Sequence, residues 1–359
     1  MQKVKVKINL QAIRHNAEAF SKLTGAKLCA VVKADAYGHG AEEVVNALEG
    51  VADFFAVALL EEAISIRTAV CGKKILVFTP PTDKEEGYLL AANGFISAVS
   101  DMRTAKLLVE VSKQYRLPIE VHLKINTGMN RYGADFEALE ALCRFLKSQK
   151  QVKVTGVYSH LCECFLNRAK KQRALFEQAK NLCKCFFPDA IVHLSATYGA
   201  MLGKDFIYDA VRVGIGLYGY LPCEPSDFSG VKRETVEKLS LQKAMTVWAK
   251  VTAVRAYAFG GAGYGKELPL EKNESLSVLR VGYADGFLRR KENGTAGEEK
   301  NLSPLCMDVC IRADEGKIGE WLPVLTDADE TAKVTGTISY EVLCAATRRA
   351  EFIYEHEKK

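Results

Sequence analysis

One lysine of this sequence stands out as a candidate nucleophile. Residues 30–40 read Ala-Val-Val-Lys-Ala-Asp-Ala-Tyr-Gly-His-Gly, so an apolar strand ends at Lys33, and a tyrosine and a glycine pair follow. We expect the stem of Lys33 to be buried and its amine to reach a cleft at the mouth of an α/β barrel. Desolvation there lowers the pKa of the ammonium group and yields a neutral amine that can form a Schiff base. Taken alone, the segment is also explained by a lysine that snorkels to the surface.

The pattern around this lysine predicts a parallel barrel. From residue 9 to residue 220, β-branched runs alternate with helical stretches, which is typical of parallel strands joined by crossover helices. The predicted strands are 28–33, 54–57, 74–79, 119–125, 152–158 and 191–194, and the predicted helices are 9–23, 40–48, 60–70, 102–115, 136–148 and 167–186. About eight such units favour a (β/α)8 TIM-like barrel over an open α/β sheet. The glycine-rich dinucleotide turn of the open sheet does not follow the first strand.

The pattern of residue types changes after the predicted barrel. A linker-like stretch contains Pro222, Pro225, Ser226 and Ser229. Strands with glycine turns then dominate, at 244–257, 276–281, 307–312 and 321–325. We therefore predict a barrel domain at 9–225 and a mostly β C-terminal domain at 226–359, to which residues 1–8 add an extra strand. The charged residues 289–301 are expected to form an exposed loop.

Composition argues against several classes of function. The 359 residues include 49 basic and 44 acidic side chains, and the net charge of +5 is not gathered into a stripe that would bind nucleic acid. Cys162, Cys164, Cys183 and Cys185 form C-x-C pairs, not the wider spacing of zinc sites, so we expect reduced thiols and no metal. Because no segment resembles a signal peptide or a spanning helix, we expect a cytoplasmic protein without a membrane partner.

Eight short motifs occur in one order along the chain. They are Val31 to Gly40, Lys124 to Gly133, Ser159-His160-Leu161, Val211 to Gly219, Gly263-Tyr264-Gly265, Val281 to Gly286, Cys306-Met307-Asp308 and Ile338 to Val342. Through them the chain resembles, over nearly its whole length, the alanine racemase family of fold-type III pyridoxal 5'-phosphate enzymes. The resemblance implies pyridoxal 5'-phosphate as cofactor and the interconversion of L- and D-alanine as the reaction.

The resemblance also implies two catalytic bases. Lys33 would hold the cofactor and act as one base, and Tyr264 of the partner subunit would act as the other. A base is needed on each side, because the Cα proton leaves one face of a planar carbanion and returns to the opposite face. His160 would help the tyrosine to lose its proton, with Arg212 behind it. Arg212 would face the pyridine nitrogen, where an arginine weakens the electron sink and disfavours the decarboxylases of this fold.

Other residues are expected to hold the cofactor and the substrate. Those expected at the phosphate are Tyr37, Thr197, Gly214 and Ile215. Those expected at the substrate are Arg131, which would also contact the cofactor's phenolic oxygen, the amide of Met307 of the partner subunit, and Tyr283. Lys124 matches a lysine that is often carbamylated in the family. Without the resemblance, the tyrosines are equally explained as half-buried barrel residues, His160 as a core histidine and Arg131 as a surface ion-pair residue.

Several positions depart from the family pattern. Where the family normally has a tyrosine that touches the cofactor phosphate and narrows the substrate pocket, this chain has Arg348. Asn126 replaces a common aspartate, Thr197 a usual serine, and Pro304 an arginine that usually lines the access corridor. An arginine can bind phosphate, and it can also attract a polar or acidic side chain that an alanine pocket excludes. A racemase with altered specificity, towards serine or an acidic amino acid, is therefore an alternative.

The resemblance also bears on the oligomeric state of the protein and on an alternative function without catalysis. Because Lys33 and Tyr264 fall in different predicted domains, we expect an obligate head-to-tail homodimer with two shared active sites. A function of another class, a pyridoxal phosphate-binding homeostasis protein without turnover, is the second alternative, although its barrel-only relatives lack counterparts of Tyr264 and Met307. The product would be a D-amino acid for cell-wall peptide.

Overall fold

The computed structural model describes residues 4–222, 229–260, 264, 273–288, 305–313 and 316–355. These residues form two compact units. The barrel unit comprises the described residues of Ile13–Ala36 and Ala41–Gln242, and the C-terminal unit comprises those of Met1–Ala12, Tyr37–Gly40 and Lys243–Lys359. Among the residues described, no helix is both long enough and apolar enough to cross a membrane.

Strands and helices alternate through the first part of the chain. In order, the strands are β1 (Val4–Asn9), β2 (Lys27–Val31), β3 (Phe54–Val57), β4 (Ile75–Val77), β5 (Ile96–Val99), β6 (Ile119–Lys124), β7 (Val152–Tyr158), β8 (Ile191–His193), β9 (Ala210–Val213), β10 (Met245–Ala256), β11 (Ser275–Leu279), β12 (Cys310–Arg312), β13 (Trp321–Leu325) and β14 (Ala350–Glu355). The helices are α1 (Leu10–Thr24), α2 (Lys33–Gly38), α3 (Ala41–Leu48), α4 (Leu60–Ser65), α5 (Lys84–Ala92), α6 (Met102–Tyr115), α7 (Phe136–Lys147), α8 (Leu166–Phe186), α9 (Thr197–Met201), α10 (Arg233–Leu239), α11 (Ala328–Thr335) and α12 (Ser339–Ala345).

The barrel unit is built on eight parallel strands in the order β8-β7-β6-β5-β4-β3-β2-β9. β3 is buried at every position, as expected for a parallel strand that is covered on both faces. The two end strands approach each other, because the amide of Arg212 in β9 donates to the carbonyl of Ser195, just after β8, at 2.9 Å. Several of the helices between the strands are amphipathic. α7, for example, buries Leu139, Leu142 and Leu146, which lie on one face at helical spacing.

The C-terminal unit is built on a six-stranded sheet in which β12, β11, β10, β1 and β14 follow one another and β13 also pairs with β10. β1 is antiparallel to β10 and parallel to β14. Its alternating sequence buries Val4, Val6 and Ile8 on one face, while the lysines between them lie over tryptophan rings on the other. The fold class predicted from the sequence, a (β/α)8 TIM-like barrel followed by a mostly β C-terminal domain, is therefore confirmed.

Most predicted elements lie close to their expected bounds. The predicted helix 102–115 and the predicted strands 54–57, 152–158 and 321–325 have the observed bounds. No strand was predicted at β5, β9 or β14, and no helix at α5, α9, α10, α11 or α12. The predicted helix 60–70 ends at Ser65. Short apolar runs such as β5 and β9 lack enough residues to show a strand period. The predicted loop 289–301, Pro304 and most of the predicted linker lie outside the described residues.

We expect Gly286 to be far less tolerant of substitution than Gly336. Both residues have a left-handed φ, of +100° and +72°. A Cβ on Gly286 would lie 1.7 Å from the carbonyl oxygen of Ala345, whereas a Cβ on Gly336 would meet no atom within 4 Å. Gly336→Ala therefore carries only the cost of the positive φ, roughly 1–2 kcal/mol, and Gly286→Ala adds a forced movement of the backbone. The thermal unfolding midpoint should fall clearly further in Gly286→Ala, and equal shifts in the two variants would contradict this packing.

Candidate active site

Lys33 lies at the start of a left-handed helical turn. The prediction that its strand runs to Lys33 was wrong, because β2 ends at Val31 and α2 begins at Lys33. The four residues after the lysine have φ values of 52°, 51°, 54° and 55°. The Ala36 amide donates to the carbonyl of Val32 at 2.9 Å, and this bond takes the chain out of the extended conformation. Lys33 itself is half-buried.

This turn is an unusual conformation for its residues. Left-handed residues other than glycine cost roughly 1–2 kcal/mol each and normally occur singly. Here alanine, aspartate, alanine and tyrosine adopt it in succession, so contacts elsewhere must compensate. In the barrel unit, the carboxylate of Asp35 accepts from the Ala41 amide at 2.7 Å. In the C-terminal unit, a Cβ on Gly38 would lie 2.6 Å from the carbonyl oxygen of Leu343, and the rings of Tyr37 and Tyr340 lie 5.9 Å apart.

A buried arginine occupies the interior of the barrel. Arg212 in β9 is 3% exposed. Its Nη1 donates to Nδ1 and to the carbonyl of His193, at 2.8 and 3.0 Å. Its Nη2 lies 2.7 and 2.9 Å from the carbonyls of Ser159 and Leu194, and 3.3 Å from Nδ1 of His160. All of these acceptors are neutral, and no described carboxylate pairs with Arg212. Its Nε–H is the one donor of the guanidinium for which the described residues supply no acceptor.

The arginine determines the tautomers of the histidines around it. A guanidinium only donates, so Nδ1 of His193 must accept and Nε2 must carry the proton. That proton points to Nδ1 of His122, 3.0 Å away. The same reasoning assigns the proton of His160 to Nε2. Gly156 leaves room for His122, since a Cβ there would lie 2.5 Å from the imidazole ring.

Burial and positive charge depress the pKa values of this cluster. Burial, followed by the charge of Arg212, lowers the pKa of His122 to about 3 and lowers the pKa values of His160 and His193 well below the usual range. Burial, Arg212 and Arg131 also lower the pKa of Lys124 far below its usual value. The Lys124 amine lies 5.0 Å from the ring centroid of Tyr158. The histidines and the lysine are therefore held towards their neutral forms.

The barrel interior suits an anionic ligand. Arg212 and Lys124 are both buried, and neither makes an ion pair with a described residue. Thr197, at the start of α9, is buried, and its hydroxyl lies 3.3 Å from the amide nitrogen of Gly216. Ile215 begins a 3-10 helix, Ile215–Tyr218, whose first amides have no acceptor within the helix. A phosphate ester fits this set of cation, hydroxyl and amide donors. In the part of the chain that the structure describes, no group of three or more side chains is placed to hold a metal ion.

The loop after β6 carries Arg131 and is organised by Asn126. The amide oxygen of Asn126 accepts from the amides of Gly128 and Asn130, at 3.1 and 3.2 Å. Its Nδ2 donates to Asn130 and to Asp135, at 3.0 and 2.8 Å. An aspartate could not make these last two bonds, so this departure from the family pattern has a local structural reason. Arg131 itself is exposed.

The remaining predicted site residues lie in the C-terminal unit. Tyr264 is 74% exposed and Met307 is 55% exposed, and both are among the most exposed large hydrophobic residues described. Tyr283 and Arg348 line a cavity of about 390 Å³ together with Leu288, Glu341 and Cys344. Arg348 makes no hydrogen bond or ion pair with a described residue. Its neighbour Arg349 bonds Asp285 at 2.8 Å and Asp308 at 2.9 Å.

His122 and His193 are two site residues that were not predicted from the sequence. Both lie inside apolar strands that the sequence did predict, 119–125 and 191–194. A polar residue within such a run is the signal that was available, because it must have a buried partner. The partner could not be inferred, since His122 and His193 are 71 positions apart.

Two sequence families match the chain. The family described as alanine racemase, N-terminal domain, matches residues 8–222, and the family described as alanine racemase, C-terminal domain, matches residues 244–354. An alanine racemase of Synechocystis sp. is 30% identical, with 97% of this chain and 98% of the relative aligned. An alanine racemase of Lactobacillus delbrueckii subsp. bulgaricus is 32% identical, over 98% of this chain and 97% of the relative.

Solved structures of alanine racemases superpose on this chain. The alanine racemase of Clostridium difficile 630 has a TM-score of 0.89 at 28% identity, covering 99% of this chain and 97% of that one. The alanine racemase of Bartonella henselae, a structure with covalently bound pyridoxal phosphate, has a TM-score of 0.84 at 25% identity, covering 99% of this chain and all of that one, 100%.

Acid should destabilise the protein through the histidines of this network. Since their pKa values are lowered in the folded state, the unfolded chain binds more protons below about pH 6.5. The free energy of unfolding should be highest above that pH and should fall as the pH drops towards the His122 pKa of about 3. Each histidine contributes a slope of up to about 1.4 kcal/mol per pH unit. Urea unfolding at a series of pH values measures the slope. His122→Asn should reduce this slope by the contribution of one histidine. A free energy of unfolding that does not change with pH would contradict the lowered histidine pKa values.

Proposed function

Because the chain belongs to the alanine racemase family, and is accordingly an amino-acid racemase, we propose that it interconverts L- and D-alanine with pyridoxal 5'-phosphate held at Lys33. The observation that carries this proposal is the buried Arg212. Its Nε–H has no acceptor among the described residues, and neither Arg212 nor the buried Lys124 makes an ion pair with a described carboxylate. An anionic ligand with one acceptor nitrogen would complement these groups, and pyridoxal phosphate has both features.

The residues of the barrel would hold the cofactor through complementary charge. The phosphate would lie against the Thr197 hydroxyl and the amides of Gly214 and Ile215. Arg212 would donate its Nε–H to the ring nitrogen. When bound, the cofactor withdraws electrons from Cα of the amino acid and so acidifies the Cα–H bond. Because a guanidinium keeps its proton, Arg212 would leave this withdrawal weak and favour proton exchange over decarboxylation.

Lys33 and Tyr264 would serve as the two bases. The lysine amine would move a proton at one face of Cα and the phenol oxygen of Tyr264 at the other. The pKa of an unperturbed tyrosine is about 10, so its phenolate needs support. His160 can provide it, because the proton on Nε2 makes this nitrogen a hydrogen-bond donor to the phenolate oxygen while Nδ1 faces Arg212.

Lys124 is proposed to react with carbon dioxide. Its lowered pKa favours the neutral amine, which is the form that forms a carbamate. Carbamate formation would join the Lys124 nitrogen to the carbon of carbon dioxide and release one proton from that nitrogen. The carbamate would then place one negative charge near Arg131 and Arg212, whose positive charges help to lower the pKa of Lys124. It would then orient Arg131 towards the substrate carboxylate and the phenolic oxygen of the cofactor.

We propose a homodimer with shared active sites because the side chains of Tyr264 and Met307 are exposed. Two large side chains that are 74% and 55% exposed suit contact with a second molecule. The barrel unit also exposes Tyr132, Phe136 and Phe165. A head-to-tail pair would let each C-terminal unit supply its tyrosine and the Met307 amide to the other barrel. The cytoplasmic location and the supply of a D-amino acid for cell-wall peptide stay predictions.

Arg348 supports a second candidate, a racemase of altered specificity. Its guanidinium is unpaired among the described residues and lines a cavity with Tyr283, where it could attract serine or an acidic side chain. Glu341 in the same cavity opposes an acidic side chain and favours serine. The cofactor-binding protein without turnover is disfavoured, because the C-terminal family matches residues 244–354.

A racemisation assay tests the main proposal and this second candidate together. The purified protein, loaded with pyridoxal 5'-phosphate, is incubated separately with L-alanine, L-serine and L-glutamate, and the D-isomers are quantified. We expect alanine to react fastest. If Arg348 widens specificity, Arg348→Tyr should lower the serine-to-alanine ratio of kcat/KM by about tenfold or more, the effect of roughly 1.4 kcal/mol. Turnover of alanine alone would exclude altered specificity, and no turnover at all would favour the binding-protein alternative.

Mixing two inactive variants tests the shared sites. Lys33→Ala and Tyr264→Phe should each lose most of the racemase activity, since each lacks one base. In a mixed dimer, one of the two sites receives both native residues, so statistical exchange of subunits should restore about a quarter of the wild-type activity. Exchange is verified with differently tagged subunits. Demonstrated exchange without recovery of activity would show that the two bases belong to one subunit.

A further inference from the structure

The carboxylate of Glu62 bridges two barrel elements at the lysine. Its Oε1 accepts from the Ala34 amide at 2.7 Å, and its Oε2 accepts from the amides of Ala58 and Leu59, at 2.8 and 3.0 Å. Ala34 is the first left-handed residue after Lys33, and Ala58 directly follows β3. Glu62 is thus the side chain that joins the start of the left-handed turn to the end of the neighbouring strand.

The backbone alone provides little to hold the start of this turn. β2 and β3 are paired up to Val31, and one more bond, from the Val32 amide to the Ala56 carbonyl at 2.9 Å, extends the pairing. Beyond it the chain turns left-handed, and no backbone carbonyl of the described residues accepts from the Ala34 amide. A carboxylate is well suited here, because two oxygens can accept from three amides at once.

We propose that Glu62 is a positioning residue for Lys33: its carboxylate fixes the left-handed turn and thereby aims the lysine amine. The inference rests on the proposed function in taking Lys33 as the reacting amine. It adds a residue that touches neither substrate nor cofactor and acts on the reaction through the Ala34 amide.

Glu62 also caps α4, so a purely structural role must be distinguished from a positioning role. The amides of Ala58 and Leu59 precede α4, and their bonds to Glu62 would stabilise that helix wherever Lys33 pointed. A cap that only stabilised the fold would change the amount of folded protein. A positioning residue changes the rate of the folded enzyme and the local order of the turn.

The test compares Glu62→Gln with Glu61→Gln in the full-length, cofactor-loaded protein. Glutamine retains one acceptor oxygen, so it can accept from the Ala34 amide or from the amides that precede α4, but not from both. Its NH2 group only donates and cannot accept from an amide. Glu61 is the matched control, because it lies in the same first turn of α4, is exposed and makes no hydrogen bond with a described residue. Glu62→Ala is added as the complete removal.

Three measurements are made on each variant. We expect kcat for alanine to fall by roughly tenfold to a hundredfold in Glu62→Gln while KM changes little, because a misplaced reacting group costs rate more than binding. Amide hydrogen exchange of the peptide that covers Lys33–Gly38 should become clearly faster, with or without cofactor. The pH at which the visible absorbance of the bound cofactor changes should shift. Glu61→Gln should match the wild type in all three.

Two results would overturn the proposal. One is an unchanged kcat in Glu62→Gln. The other is a loss of activity that equals the loss of folded protein, measured by thermal unfolding, with the exchange of Lys33–Gly38 and the absorbance titration unchanged. If Glu62→Ala fails to fold, Glu62→Gln still decides. If the wild type racemises no amino acid, the proposed function fails, and the exchange experiment still shows whether Glu62 holds the turn.

Discussion

The barrel interior depends on one buried guanidinium that has no counter-ion among the described residues. A charge in this position is tolerated only if polar groups replace its hydration. Three backbone carbonyls and two imidazole nitrogens do so for Arg212. Because the guanidinium can only donate, it forces the imidazoles to accept. Burial, together with the charge of Arg212, lowers the pKa values of His122, His160, His193 and Lys124 and so holds them towards their neutral forms. The shape, charge and proton positions of the site all follow from this one constraint.

The second constraint is the backbone at Lys33. Along a regular strand, successive side chains point alternately to the core and to the helical layer. The pleat of the strand would therefore set the direction of a lysine there. The left-handed turn removes the residue from that alternation. Within the barrel unit, the carboxylates of Glu62 and Asp35 offset part of the cost of the left-handed residues through their hydrogen bonds to the amides of Ala34 and Ala41. Strain that needs support from several elements is typical of functional positions.

The sequence predicted those features that depend on local pattern. The helix at 102–115 and the strand at 152–158 follow from the spacing of their apolar residues, and the alternation of strands and helices indicates a barrel with its strand ends at one mouth. Contacts across the barrel had no local signal. His122, His193 and Arg212 lie on three strands, and only strand order and register bring their side chains to hydrogen-bonding distance. Alanine and tyrosine do not favour a positive φ, and a residue such as aspartate adopts it singly and not in a run of four, so nothing local predicted the turn after Lys33.

The sequence by itself therefore determined the fold class, the family and the identity of the reactive candidates, because apolar periodicity and ordered motifs are properties of the chain. The tertiary structure alone decided where the protons lie on His160 and His193, which donor of Arg212 is left for a ligand, and what holds Lys33 in place. These outcomes depend on distances of about 3 Å between residues far apart in sequence. Such distances exist only after the strands have paired and the interior has lost its water.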